Sequence, residues 1–234
     1  MKIKHLEYGV FSGIENMAED WRLLEISENQ GISFFRCYGW CAPAITIGHH
    51  QKIDNTINIQ FCQNKKIDII KRPTGGKAIF HNNDFTFAVI LNKNIAIENL
   101  TLQNAYALVN TALFQTLKKF SCAIEIIEKS FDRNKIKDPI CFNYSYNHEI
   151  IANDKKLVGI AQRRLKNAAL IQGNIHLTID FDLYAKIFYT DKEPLKSKFC
   201  ALSEILDLSN FDILKFEKVF FEKFREMLDY KRNK

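Results

Sequence analysis

The feature that most constrains the fold is a series of apolar runs of strand length that lack regularly spaced helices between them. Segments 148–152, 156–163 and 168–177 follow one another with charged turns between them, and Asn153-Asp154 is typical of a turn. A doubly wound parallel sheet needs a crossover helix after each strand. The spacing therefore disfavours that fold and predicts an α+β architecture with a mixed, largely antiparallel sheet flanked by helices.

The rest of the chain alternates helical and extended patterns. Hydrophobic periodicity predicts helices at 16–28, 101–120 and 213–230 and strands at 32–38, 44–48, 67–71, 84–91 and 122–127. Asn16 stands at the N-cap of the first helix. The turn-rich segment 39–43 suggests that the strands on either side of it form a hairpin. From about Phe181 the pattern is helical, so we expect one domain over residues 1–234, with 181–234 as a C-terminal helical portion and no separate accessory domain.

The composition is that of a globular chain. Its 234 residues are 47% hydrophobic and 26% charged, with 9 Gly and 4 Pro, which argues against disordered and fibrous classes. The 6 Cys are scattered, and segment 1–11 lacks the apolar stretch of a secretory signal. No apolar run approaches the roughly 18 residues of a membrane span. We therefore expect a protein of the reducing cytoplasm that does not enter a membrane.

The excess positive charge is concentrated in two segments. Segments 62–77 and 153–173 each carry five basic residues against one aspartate, whereas the whole chain has a net charge of +6. If the fold brings the two segments together, they form a basic surface that would attract an acidic partner. If they stay apart, they are ordinary solvated charges, and charge counting alone does not decide between the two.

The densest candidate motif is segment 71–81, Lys-Arg-Pro-Thr-Gly-Gly-Lys-Ala-Ile-Phe-His. A strand that ends in Pro-Thr-Gly-Gly gives a tight turn whose glycines allow positive φ and leave backbone amides uncovered, so a phosphate, a carbonyl or an acyl chain could approach closely. Arg72 and Lys77 flank the turn. The spacing does not match the phosphate-binding loop. On spacing alone, an ordinary glycine turn with solvated basic neighbours is the simpler explanation.

Two further residues are candidates for chemistry. Lys156 begins a strand and Gly159 lies three residues on, where a ligand could press against the sheet. Cys141 follows a proline-bounded loop, and a nearby cation such as Lys156 would lower the pKa of its thiol. The alternatives are a surface lysine after a turn and a cysteine that packs as a small hydrophobe. The residues alone favour those alternatives.

Two other functions receive little support. The residue types that bind zinc occur at Cys37, Cys41, His49 and His50. A second pair of closely spaced ligands is missing, so we expect no metal site. The 19 Phe occupy mostly core-periodic positions and no recognition motif accompanies them, so we expect no nucleic-acid partner.

Taken together, five segments in register resemble the biotin/lipoate protein ligase superfamily. They are 16–20 (Asn-Met-Ala-Glu-Asp), 39–44 (Gly-Trp-Cys-Ala-Pro-Ala) with Gly48 and Gln51, 72–78 (Arg-Pro-Thr-Gly-Gly-Lys-Ala) with His81, 156–162 (Lys-Leu-Val-Gly-Ile-Ala-Gln) and 172–175 (Gln-Gly-Asn-Ile). The resemblance implies the class II synthetase-like catalytic fold of this superfamily.

Details within these segments distinguish among the members. Adenylating lipoate ligases usually carry a third glycine where this chain has Lys77, and usually a further C-terminal domain for which little room follows residue 175. The chain is more similar to octanoyltransferases of the LipM type, which share the basic residue and a Cys-Phe pair like Cys141-Phe142. The resemblance implies Cys141 as the acyl-accepting nucleophile and Lys156 as the residue that lowers its pKa. The implied substrate-binding residues are Arg72, Thr74, Gly75, Gly76, Lys77, Ala78, His81, Gly159 and Ala161.

The implied activity is transfer of an octanoyl group from acyl carrier protein, through a Cys141 thioester, to a lysine of a lipoyl-accepting protein. The acceptor is the glycine-cleavage H protein or a dehydrogenase lipoyl domain. A thioester is already activated, so no cofactor is expected. The first alternative is the catalytic subunit of an ATP-dependent lipoate ligase, which would use ATP and Mg²⁺. The second is a non-catalytic module that holds an acyl or lipoyl group.

Overall fold

A computed structural model describes residues 3–53, 56–95, 102–121, 123–127 and 149–232. In chain order, the elements are β1 (Ile3–Phe11), α1 (Gly13–Gln30), β2 (Ser33–Trp40), β3 (Ala44–Ile47), α2 (Ile59–Asn64), β4 (Asp68–Lys71), β5 (Ile79–His81), β6 (Asp84–Asn92), α3 (Leu102–Phe120), β7 (Glu125–Ile127), β8 (Glu149–Ala152), β9 (Lys155–Lys156), β10 (Val158–Arg164), β11 (Ala168–His176), α4 (Phe181–Ile187), α5 (Lys192–Lys196) and α6 (Ile213–Arg232). Within these residues, no helix is both long enough and apolar enough to cross a membrane.

The central sheet has five strands in the order β1-β2-β6-β11-β10. β1 pairs with β2 in parallel, and the other three pairings are antiparallel. The α+β class with a mixed, largely antiparallel sheet flanked by helices is therefore confirmed. The strands predicted at 84–91 and 168–177 lie in its middle, which explains their almost continuous apolar character.

The predicted hairpin between 32–38 and 44–48 is wrong. Both segments are strands, but β2 has β1 on one edge and β6 on the other, which leaves no edge for β3. The chain leaves the central sheet after Trp40, where the backbone N–H of Cys41 donates to the carbonyl of Phe11 (2.9 Å). β3 then joins a second sheet, in which it pairs in parallel with β4 and antiparallel with β5.

The strand predicted at 156–163 is divided between two sheets. β9 pairs with β8 in a third sheet, β7-β8-β9, whereas β10 forms an edge of the central sheet. The change occurs at Leu157, whose N–H donates to Ile150 (3.1 Å). The turn predicted at Asn153-Asp154 is confirmed, and both residues have positive φ, 50° and 59°. Left-handed backbone is tolerated best by Asn, Asp and Gly, which accounts for these residue types.

The first helix begins earlier than predicted. Ser12 is its N-cap, because the Ser12 hydroxyl accepts from the Glu15 N–H and the Glu15 carboxylate accepts from the Ser12 N–H (2.9 Å). Asn16 is instead buried inside the helix, and its side-chain amide donates to the carbonyl of Gly39 (3.1 Å). The strand β1 before it was not predicted, because half-exposed polar residues interrupt its apolar ones.

The two faces of the central sheet carry different side chains. Alternate residues of β2, β6 and β11 point towards α3 and α6 and form a large apolar cluster that includes Phe35, Phe87 and Ile171. The intervening residues point towards α1 and the second sheet. We call these the apolar face and the cleft face.

Candidate active site

A cleft opens between the cleft face of the central sheet and the second sheet. Its empty space, including the open mouth, is about 310 Å³. β2, β6, β10 and β11 line one side, β3 and β5 line the other, and α1 contributes Met17. Lining residues that were singled out from the sequence are Arg72, His81, Gly159 and Ala161. The fold thus brings together two motifs that are about ninety residues apart in the chain.

Arg72 lines this cleft, but the protein itself binds its guanidinium. The residue is 4% exposed. Nη2 donates to the carbonyls of Gly75 (2.6 Å) and Lys77 (2.8 Å), and Nη1 donates to the carbonyl of Thr46 (3.0 Å). These contacts hold the turn 73–77 against β3. Arg72 therefore holds the turn in place, and the substrate-binding role that the resemblance implies stays a prediction.

Two chains of hydrogen bonds start at Arg72. In the first, Arg72 Nε donates to Thr74 Oγ1 (3.2 Å), which donates to Gln172 Oε1 (2.6 Å). Gln172 Nε2 donates in turn to the carboxylate of Asp20 (2.7 Å). All four side chains are buried. The chain ties the turn to β11 and to α1 across the cleft.

Asp20 is the end of this first chain and accepts two more hydrogen bonds. Arg36 Nη1 donates to it at 2.6 Å and the Tyr38 hydroxyl at 2.7 Å. Burial raises the pKa of the Asp20 carboxyl, and the Arg36 charge and the donors Tyr38 and Gln172 oppose that rise. Three donors on one carboxylate fix its orientation, so the network is rigid.

The second chain runs from Arg72 to His81. Arg72 Nη1 reaches Thr46 Oγ1 (3.3 Å), which lies 2.9 Å from His81 Nε2, and His81 Nδ1 lies 2.8 Å from Asp84. Arg72 has only donors and the Asp84 carboxylate has only acceptors, so Thr46 accepts from Arg72 and His81 donates from Nδ1 to Asp84. In the neutral form of His81, Nε2 then accepts from the Thr46 hydroxyl.

The charge state of His81 follows from its surroundings. Burial lowers the pKa of His81, although the Asp84 carboxylate opposes this. Burial alone would raise the pKa of Asp84, but His176 and His81 outweigh it and hold that pKa well below its usual range. The His81 ring stacks on Trp40 with a centroid distance of 3.9 Å. Both ring nitrogens of His81 contact protein side chains, so His81 lines the cleft with its ring.

The turn 73–77 depends on glycine at two positions. Gly76 has φ +92°, and a Cβ on Gly48 would lie 2.0 Å from the Gly76 carbonyl oxygen. Two backbone segments therefore approach each other more closely than any side chain permits. Gly75 differs, because a Cβ there would meet nothing within 4 Å. Gly75 faces open space, where a ligand can reach the backbone.

The remaining predicted binding residues differ in where they lie relative to the cleft. Gly159 and Ala161 lie on β10 and line the cleft, and their small size leaves room beside the sheet. Ala78 is fully buried in a separate apolar cluster with Ile45 and Phe80, so it supports β5 from behind. Lys77 is half-buried.

Of the two predicted catalytic residues, the structure describes Lys156 but not Cys141. Cys141 lies outside the described residues. Lys156 lies on β9, and its Nζ is 2.8 Å from Glu149 Oε1, with both side chains largely buried. Lys156 is not among the residues that line the cleft, but Gly159, which does, lies only three positions further along the chain, so Lys156 is within about 10 Å of the cleft along the chain.

The two basic segments meet beside the cleft. Arg163, from the second segment, donates to the carbonyl of Pro73 in the first (3.1 Å) and lies over the Trp21 ring (4.7 Å). Burial is the largest cause that lowers the pKa of His49, and the charges of Arg163 and Lys71 lower it further. The positive charges are therefore close enough to act on one another. The alternative in which the two segments never meet is wrong.

Other cysteines in the described residues are poorly suited to nucleophilic attack, with one exception. Burial raises the pKa of Cys37 and Cys62, and it raises that of Cys200 to about 11. Protonated thiols are weak nucleophiles. Cys41 is the exception, because it is exposed. Within the described residues, no three His, Cys, Asp or Glu side chains are grouped to hold a metal ion.

Sequence reasoning missed several residues of the site. Asp20, Arg36 and Asp84 were not singled out for a role, although Asp20 lay within a quoted segment. A charged residue in an otherwise apolar strand, such as Arg36 in β2, is the signal that could have found the network, because a buried charge needs a partner.

Comparisons with known proteins agree with this architecture. Residues 13–225 match the family described as the lipoyl protein ligase A/B catalytic domain. A relative named Octanoyltransferase LipM, from Bacillus anthracis, is 31% identical over 96% of this chain and 86% of its own. Among solved structures, lipoate-protein ligase A bound with ATP superposes with a TM-score of 0.77 at 16% identity, covering 98% of this chain and 86% of that chain. A bipartite lipoate protein ligase from Thermoplasma acidophilum, solved as part of a study with its E2 lipoyl domain, gives 0.71 at 15% identity, covering 96% and 85%.

The structure is an α+β domain in which a glycine turn and a sheet edge enclose a small cleft. The match over most of the chain shows that it belongs to the lipoyl protein ligase A/B catalytic domain family. It is an enzyme of the acyltransferase type.

Proposed function

We propose that this enzyme transfers an octanoyl group from acyl carrier protein to a lysine of a lipoyl-accepting protein, as a step in protein lipoylation. The observation that carries the proposal is the similarity to relatives named Octanoyltransferase LipM at 29% to 31% identity over nearly the whole chain. The cleft supports it, because a small site with an apolar and aromatic lining suits a medium-length acyl chain.

The reaction proceeds in two transfers that conserve the thioester until the last step. The Cys141 thiolate attacks the thioester carbonyl of the octanoyl carrier, and the carrier thiolate leaves and takes up a proton. The octanoyl group then rests on Cys141. The neutral amine of the acceptor lysine attacks this second thioester, loses a proton and forms an amide, while Cys141 leaves as thiolate. Neither transfer needs ATP, because each thioester is already activated.

The described residues take distinct roles in this proposal. The Lys156 ammonium lowers the pKa of the Cys141 thiol and stabilises the oxyanion of each tetrahedral intermediate, together with the open backbone at Gly75-Gly76. Gly159 and Ala161 leave space for the acyl chain. Arg72 and Thr74 act indirectly, by holding the turn.

The proposed partners are acidic proteins. The joined basic segments, with Arg163 and Lys71 beside the turn 73–77, provide a surface that complements an acidic carrier protein and an acidic acceptor domain. The acceptor is the glycine-cleavage H protein or a dehydrogenase lipoyl domain. We propose the cytoplasm as the compartment, where both partners and a reduced Cys141 are found.

The decisive experiment is intact-mass spectrometry of the purified enzyme after incubation with octanoyl carrier protein in the absence of nucleotide. We expect the mass to increase by one octanoyl group, and the increase to be absent in Cys141→Ser. Cys41→Ser is the matched control, because Cys41 is the exposed thiol among the described cysteines, and its adduct should persist. An adduct that survives in Cys141→Ser but is lost in Cys41→Ser would overturn the role of Cys141.

A second candidate is an ATP-dependent lipoate ligase catalytic subunit. It is favoured by the likeness of the fold to lipoate-protein ligase A bound with ATP and to a bipartite ligase. The same assay separates the two functions when lipoate and ATP are added. Formation of lipoyl-AMP, with no adduct in the nucleotide-free reaction, would establish the ligase and exclude the transferase.

A further inference from the structure

The two neighbouring lysines of β9 each pair with a glutamate, and the two pairs differ sharply in burial. Lys155 Nζ is 3.1 Å from Glu204 Oε2, and these side chains are 28% and 32% exposed. Lys156 Nζ is 2.8 Å from Glu149 Oε1, and these side chains are only 10% and 6% exposed. Consecutive strand residues point in opposite directions, so one lysine faces solvent and the other faces the interior.

A nearly buried ion pair rarely contributes net stability. Removing two charges from water costs several kcal/mol, and apolar residues of similar volume are often as stable or more so. The position of Glu149 favours such a replacement, because all four residues of β8 are buried, including Ile151 on the same face of the strand as Glu149. Stability alone therefore does not account for a charge pair at this place.

The position of the pair connects it with the cleft. β8 pairs with β9 at Ile151 and Lys156, and the chain then continues through Leu157 into β10, which lines the cleft. Lys156 is also fixed through its backbone, since its N–H donates to the carbonyl of Lys198 (2.9 Å). The backbone thus fixes where the side chain starts, and Glu149 constrains where its ammonium ends.

We infer that Glu149 is a positioning residue that aims the Lys156 ammonium for acyl transfer. The inference rests on the proposed function, in which Lys156 acts on the reacting thioester. Glu149 itself touches no reacting atom. It acts through Lys156, as a buried carboxylate that orients a long and otherwise adaptable side chain.

The test is the single-turnover rate of self-octanoylation, measured by intact mass in the full chain. Glu149→Gln keeps the shape but removes the charge, and we expect the rate to fall by about 100-fold, the size of effect that a 1 Å misplacement produces. Glu149→Asp restores the charge and should recover most of that loss. Glu204→Gln is the matched control, because it removes the partner of the neighbouring lysine, and its rate should equal that of the wild type.

A double-variant comparison separates positioning from a structural effect. If Glu149 acts through Lys156, the Glu149→Gln/Lys156→Ala variant should be no slower than Lys156→Ala alone. This variant also leaves no unpaired buried lysine, so it is informative even if Glu149→Gln folds poorly. A further slowing in the double variant, or a wild-type rate in Glu149→Gln, would overturn the inference. A wild-type rate in Lys156→Ala would instead refute the proposed role of Lys156.

Discussion

The two faces of the central sheet are built from alternate residues of the same strands, yet the cleft face carries a buried polar network beside its apolar residues. On the apolar face, Phe35, Phe87 and Phe220 pack as aromatic rings with centroids 5.0 to 5.2 Å apart. On the cleft face, Arg36, Gln172 and their neighbours form a polar network in which buried donors find acceptors. The side chains named on both faces are buried.

The difference shows that one face of the sheet mainly stabilises the fold, whereas the other also fixes the positions of side chains around the cleft. Apolar packing is non-directional and gains free energy in proportion to the area buried. Hydrogen-bonded networks add little net stability but fix the positions of the groups they join. We therefore expect changes on the apolar face to alter the free energy of unfolding and changes on the cleft face to alter acyl transfer as well.

The largest effect on stability is expected for Phe220→Ala on the apolar face. The side chain is fully buried between α6 and the sheet, and its removal should lower the free energy of unfolding by about 3–5 kcal/mol. Urea-induced unfolding measures the loss, and Phe220→Leu should lose less because the cavity is smaller. The octanoylation rate per folded molecule should be unchanged. A lower rate in the fully folded variant would contradict the separation of the two faces.

On the cleft face, Asp20→Asn should be both destabilising and inactivating. It leaves Arg36 buried without a counter-ion, and such a loss costs about 3 kcal/mol. It also weakens the acceptor of Gln172, which holds Thr74, so octanoylation should slow by more than unfolding explains. Glu19→Gln on the same helix breaks the more exposed Arg22 pair and should cost at most about 0.5 kcal/mol. Equal losses in both variants would show that the network has no special role.

A smaller effect is expected where the cleft turn meets β3. Gly48→Ala places a Cβ against the Gly76 carbonyl, and overpacking of this kind costs about 1–3 kcal/mol. Thermal unfolding compares it with Gly75→Ala, whose Cβ would meet open space and whose melting temperature should be nearly unchanged. The same loss at both glycines would mean that the close approach at Gly48 does not constrain the turn.

The smallest and most gradual effect is the response to acid. Burial lowers the pKa of His81 in the folded protein, so the unfolded chain binds a proton more readily. The stability from the neutral imidazole is full above its ordinary pKa of 6.5 and is lost as the pH falls below it, by at most about 1.4 kcal/mol per pH unit. The lowered pKa of Asp84 acts in the same direction at still lower pH. Urea midpoints between pH 7 and pH 5 should therefore fall less steeply in His81→Gln than in the wild type, and parallel slopes would contradict this assignment.

Much of the fold could be predicted from the sequence because period and length are local properties. β6, β11, α3 and α6 were found from their apolar patterns. The wrong hairpin shows the limit, because the segment after Trp40 contains ordinary turn residues, and which sheet edges are already occupied depends on strands far along the chain. β1 was missed for a related reason, since an edge strand with exposed polar residues has little periodicity.

The candidate site shows the same difference between local features, which could be predicted, and long-range contacts, which could not. The glycine turn, His81 and the small residues of β10 were identified because they form short motifs that resemble a family. The network that supports them was not identified, because Gln172 and Asp20 are 152 residues apart. The internal contacts of Arg72 and the burial of Ala78 were not predicted either, since a motif places a residue near a site without saying which way its side chain points.

The central claim is that the acyl chain occupies the cleft face of the sheet, and photo-crosslinking tests it most directly. The enzyme would be loaded from carrier protein with an octanoyl analogue that bears a diazirine at the end of the chain, irradiated and digested, and the labelled residues would be located by mass spectrometry. We predict labels on cleft residues such as Met17, Trp40 and Ile79. Labels confined to α3, α6 or the phenylalanines of the apolar face would contradict the account.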